Sequence, residues 1–158
     1  MKIRIDRKTS EAISLAATVL FLAAVLVCAV LMPRICAGLI EAKGEMSPRF
    51  AVDGGGRVLI TVLGYLTVAF MAAAGVSTLR LLVRVRSGKV FTEKTVALIR
   101  LISWCCFPIA VIFGVLGVWF TVSFGVAFMA FFVGICLLVV KNVIEEATAI
   151  KQENDLTV

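Results

Sequence analysis

The side chains able to do chemistry in this chain are few. Its 158 residues include no histidine, which removes the commonest general base and the commonest metal ligand. The five cysteines, Cys28, Cys36, Cys105, Cys106 and Cys136, form no Cys-x-x-Cys pair, so no zinc or dithiol redox motif is spelled out. On a helix, the adjacent Cys105 and Cys106 point about 100° apart. They read as small apolar packing residues, with a redox or palmitoylation role as the alternative. Cys36 lies just beyond the first apolar run, where a thiol could cross-link a dimer. Gly54-Gly55-Gly56 could form an anion-binding nest. No Lys-Ser/Thr follows it, so it is not a P-loop and reads as a hinge. The expectation is a protein that is not an enzyme, with no cofactor and no metal.

The elements that carry these residues follow from composition. The chain is 61% hydrophobic and 16% charged, with a mean hydropathy of +1.09. A soluble domain this small could not hide so much apolar surface. Two uncharged runs, 12–32 and 58–79, are each long enough to cross a bilayer. A third run, 101–140, has no charge over 40 residues. One straight helix of that length would span about twice the hydrocarbon thickness, so it must turn back. The turn is expected between Gly117 and Gly125, around Thr121 and Ser123. Trp119 would then lie at a headgroup boundary or pack internally. Pro108 is expected to kink the third span. The fold class is therefore all-α: one domain, 1–158, a four-transmembrane-helix bundle with spans 12–32, 58–79, 101–118 and 123–141. Helices 3 and 4 form a tight hairpin, and both extend into the cytoplasm. The first run is too long for a signal-peptide core and reads as a retained span.

Charge placement orients the chain. Twelve of the sixteen Lys and Arg flank the N-terminus, the 80–100 segment and the tail; four lie in the 33–57 loop. That asymmetry puts both termini in the cytoplasm, in what reads as a bacterial cytoplasmic membrane. The basic excess therefore reports topology and implies no direct nucleic-acid binding. In the outer loop, Ile35, Leu39 and Ile40 have helical spacing and suggest an interfacial helix lying on the membrane. The spans contain no Asp, Glu, Lys or Arg, whereas ion and proton carriers keep such groups inside the bundle. Small residues recur at four-residue spacing in Ala12/Ala16, Ala69/Ala73 and Ala130/Gly134, which lets helices approach closely within the chain or in a homo-oligomer.

The charged ends hold the remaining specificity. The second helix should run on to Arg86 and stop at Ser87-Gly88-Lys89, with Gly88 terminating it. Thr92 suits an N-cap, Glu93 the first turn of the third helix, and Phe91 a hydrophobic staple toward Val96. In the tail, Val139, Val143, Ala147 and Ile150 keep helical spacing. Its polar face sets Glu145, Glu146, Glu153 and Asp155 against Lys141 and Lys151. The acidic tail is expected to pack beside Arg80, Arg84, Arg86 or Arg100; the alternative is a solvated helix whose ion pairs contribute little.

The segment Ser87–Cys106, SGKVFTEKTVALIRLISWCC, and the tail VKNVIEEATAIKQENDLTV together resemble the DUF2975 family of uncharacterised bacterial membrane proteins. Gly88, Val90, Phe91, Thr92, Leu98, Arg100, Ile102, Ser103 and Trp104 carry the first block; the second matches almost throughout. The resemblance implies a four-span protein, often encoded beside a small helix-turn-helix regulator of the Cro/C1 type. That association suggests a partner docking on the linker and tail, through Arg84, Arg86, Lys89, Phe91, Thr92, Arg100, Asn142, Glu145, Glu146, Glu153 and Asp155. The same residues could instead only shape the inner end of the helices. Two function classes follow. One is a non-enzymatic membrane regulator of a cytoplasmic transcription factor. The other is a small oligomeric transport or permeability protein, embedded like the first in the lipid bilayer.

Overall fold

A computed structural model describes residues 7–46, 52, 54–88 and 90–156, with side chains placed for 12–42 in the first stretch and up to 153 in the last. All of the regular structure described is helical: α1 (Arg7–Met46), α2 (Gly54–Arg86), α3 (Glu93–Leu116) and α4 (Val122–Leu156). Each is long and apolar enough to cross a membrane.

The helix ends follow local chemistry. α2 stops at Arg86, and Gly88 takes a φ of +74°, a left-handed conformation that costs glycine nothing. The Ser87 amide donates to the Val83 carbonyl at 3.1 Å. The Ser87 hydroxyl donates to the Val83 and Arg84 carbonyls, each at 3.0 Å, so the last turn of α2 keeps its acceptors satisfied. α3 starts at Glu93 with Thr92 extended at the N-cap. The expected side-chain cap is not made there; the Thr92 hydroxyl sits 3.0 Å from the Thr95 hydroxyl instead. α3 continues through Pro108 to Leu116. The reversal is tighter than the expected 117–125, because α4 begins at Val122 and takes in Ser123 and Gly125.

Two expectations about the first half are corrected. α1 does not end near Pro33. It runs through that residue to Met46, so Ile35, Leu39 and Ile40 belong to the same helix and not to a separate interfacial one. Proline lacks only one backbone donor, and apolar packing beyond it sustains the helix: Cys36 and Ile40 bury against Ile60 of α2. Likewise, Gly54–Gly56 is the first turn of α2, not a hinge. Ser47 and Pro48, which from the sequence should end the helix of the outer loop, lie outside the described residues.

The helices pack in chain order, α1 on α2, α2 on α3 and α3 on α4. Among the described residues α1 and α4 do not touch. The four helices expected from the sequence are laid out as a row, each against the next. Close approach along the row is made at glycines. A β-carbon on Gly75 would lie 2.7 Å from Leu22 Cδ2 of α1, and one on Gly134 would lie 3.3 Å from Cys106 Cβ of α3. Gly64 meets the tip of Met32 in the same way. With apolar lipid on the outside, such fit contributes more to helix association than hydrophobicity does. Ala69, Ala73, Ala12 and Ala16, expected at contacts, are exposed.

Within the spans, several hydroxyls bond inside their own helices. Thr18, Thr67, Ser77 and Thr78 donate to the carbonyl four residues earlier, at 2.7 to 2.9 Å. This is how a hydroxyl is accommodated where water is absent. Ser103 bonds between helices instead. It is fully buried and donates across to the Gly134 carbonyl of α4 at 2.9 Å.

Candidate charged groove at the ends of α3 and α4

The polar ends of α3 and α4 meet because the two helices lie antiparallel. Ser103 and Gly134 fix the register, and Phe107 stacks edge-on against Phe131 at 5.8 Å. Moving one turn from Ser103 toward the start of α3 reaches Arg100; moving along α4 past Gly134 reaches Lys141 and Glu145. Arg100 Nη2 stands 3.6 Å from Glu145 Oε1, and Lys141 Nζ pairs with Glu145 Oε2. Of the four arginines expected near the acidic tail, Arg100 is the one paired with it among the described residues.

Lys141 and Glu145 are four apart and share a helix face. The Lys141 side chain is 14% exposed. Lys141 also donates to Asn142 Oδ1 at 3.2 Å. A hydrogen bond from the Lys141 ammonium holds the Glu145 carboxyl below its ordinary value; desolvation opposes this, and the charges of Lys141 and Arg100 add to the lowering. Glu145 is open to solvent, so the ion pairs lend register more than stability.

Glu93, Val96, Arg100, Glu145, Thr148 and Gln152 enclose a groove of about 470 Å³. Residues 93 and 100 recur at seven-residue spacing on α3, and 145, 148 and 152 at helical spacing on α4, so each helix offers one polar stripe. Thr148 is buried and donates to the Ile144 carbonyl at 2.7 Å.

The other expected docking residues are spread more widely. Arg84 lies on a second groove, between α2 and α3. Arg86, Asn142, Glu146 and Glu153 are exposed, and Phe91 is 46% exposed. Lys89 and the side chain of Asp155 lie outside the described residues. Thr148 and Gln152 were not singled out from the sequence, and Lys141 was placed on the tail's polar face but not among the docking residues. The four-residue step from Lys141 to Glu145 was the available signal; the groove itself needs α3 beside α4.

Cys36 does not present a cross-linking thiol: it is buried, 4% exposed, against Ile40 and Ile60. Cys105 is buried, and the Cys106 thiol faces the Ile102 carbonyl at 3.4 Å, which suits packing residues. No group of three potential metal-ligating side chains occurs among the described residues.

Four long apolar helices ending in charged side chains define a multi-pass membrane protein. A family model described as "Protein of unknown function (DUF2975)" matches residues 9–158, and the chain belongs to that family. No curated protein and no solved structure matches it.

Proposed function

We propose that this chain is a non-enzymatic regulator in the bacterial cytoplasmic membrane. Both termini and the 87–92 linker face the cytoplasm, and α3 and α4, a hairpin, extend their charged ends out of the bilayer. There they dock a small cytoplasmic transcription factor of the Cro/C1 type. The observation that carries this reading is the groove closed by Arg100 and Glu145, which joins the linker end of α3 to the tail half of α4 and leaves their polar side chains half exposed. Elsewhere the helices offer lipid an apolar surface, while Thr18, Thr67, Ser77 and Thr78 donate to their own backbones. That pattern favours a scaffold with a docking end over a hydroxyl-lined pathway, the transport alternative.

The test is affinity capture from native membranes with the full chain, beside a version lacking residues 142–158 and a version carrying Glu93→Lys and Gln152→Ala. A helix-turn-helix protein recovered with the full chain and lost from both variants supports docking at the groove. Recovery of no such protein, or equal recovery without the tail, removes it.

A further inference from the structure

A second groove, of about 700 Å³, separates the end of α2 from the start of α3. Its rim carries Arg80, Arg84 and Lys94, and its wall is Leu79, Leu98 and Leu101. No acidic side chain lines it, and none of the three cations is ion-paired among the described residues. The acidic Glu93, next in sequence to Lys94, opens onto the other groove.

The lining is graded along the helix axes. Arg84 is two residues from the end of α2, Arg80 six and Leu79 seven, depths of roughly 3, 9 and 10 Å at the α-helical rise. On α3, Lys94 is the second residue and Leu101 the ninth. Trp104, three residues further and on the same face, is 63% exposed. The groove is thus cationic from its mouth down to the level of Arg80 and apolar from Leu79 and Leu101 inward. A free anion would match only the mouth, and an acyl chain only the depth.

We propose that this groove binds one anionic phospholipid, its phosphate between Arg80, Arg84 and Lys94 and its acyl chain along Leu79, Leu101 and Trp104. Cations held at the membrane boundary between helices recognise anionic headgroups, each favouring them over a zwitterionic headgroup by about five-fold. The site is independent of the docking groove; it rests on the apolar helices spanning a bilayer.

Trp104 is the reporter. The full chain carrying W119F, so that Trp104 is its lone tryptophan, is reconstituted in phosphatidylcholine vesicles. Either acyl-brominated phosphatidylglycerol or acyl-brominated phosphatidylcholine is added at matched mole fraction. Bromines quench a tryptophan they touch, so the expected result is several-fold stronger quenching by the phosphatidylglycerol. The excess should shrink in high salt and approach parity in R80Q/R84Q/K94Q, while R34Q/R57Q, neutral at the other end, retains it. Equal quenching by the two lipids in the protein with all its cations overturns the proposal, and that arm stands even where the triple variant fails to insert. An excess that survives in an inserted triple variant also overturns it. Millimolar inorganic phosphate should leave the excess unchanged; abolition by phosphate would make this a soluble-phosphate site and overturn the lipid.

Discussion

Ser103 of α3 donates its hydroxyl to the backbone carbonyl of Gly134 on α4 at 2.9 Å, at the place where a β-carbon on Gly134 would press to 3.3 Å against Cys106 Cβ. The two features depend on each other. The missing β-carbon lets α4 approach, and the approach brings the carbonyl within reach of the hydroxyl. Such bonds between membrane helices contribute about 0.6 kcal/mol on average and at most about 2. Ser103→Ala should therefore lower the unfolding free energy in mixed micelles by about 0.5 to 2 kcal/mol. Gly134→Val should cost more, because Cys106 Cβ is anchored to backbone and has little freedom to move. Equal stability of Gly134→Val and the parent chain would sink this account of the α3–α4 contact.

The glycines of α2 should differ in tolerance. At Gly75 a new β-carbon meets Leu22 Cδ2 at 2.7 Å and Phe21 Cε1 at 3.1 Å, two side chains with limited freedom. At Gly64 the obstacle is the end of Met32, a flexible thioether. Gly75→Val should destabilise by about 1 to 3 kcal/mol, as overpacking does, and Gly64→Ala by distinctly less. Denaturant titration of the two variants side by side checks the order.

Glu145 should give a small acid-side effect. Its pKa is lowered in the folded protein, chiefly by Lys141. The sign follows: the contribution is fully present above the unfolded-state pKa and is lost as pH falls through the lower, folded-state value. Because the group is solvent-exposed, the effect should be modest and should fade in high salt. Glu145→Gln should flatten that part of the stability–pH curve. An unchanged curve in low salt would show that the pair exerts no thermodynamic effect.

Cys36 should be silent toward thiol reagents in the folded protein and reactive after denaturation, since packing against Ile40 and Ile60 shields it. With Cys28, Cys105, Cys106 and Cys136 replaced by serine or alanine, maleimide labelling isolates it. A disulfide-linked dimer on a non-reducing gel, absent in Cys36→Ser, would contradict the burial.

Topology reporters test orientation. A fluorescent protein at the C-terminus should fluoresce, and alkaline phosphatase inserted between α1 and α2 should be active, if both termini face the cytoplasm. The reverse pattern would move the proposed docking end outside the cell.

The number of helices was legible in the sequence because uncharged runs of bilayer length leave little choice, and the 40-residue run forces a reversal. The end of α2 and the start of α3 were legible too: Gly88 and Thr92 sit where local backbone chemistry alone sets a boundary. The continuity of α1 past Pro33 was not, because it depends on Cys36 and Ile40 finding Ile60 on another helix. Nor were the open row, the notches at Gly64 and Gly75, or the choice of Arg100 over three other arginines as partner of Glu145. Each depends on which way a helix is turned about its axis. In a chain whose spans are apolar on nearly every face, and whose surroundings are as apolar as its interior, periodicity carries little of that information. Only the packing of one helix against the next decided it, and with it the two grooves that distinguish the charged end of this protein.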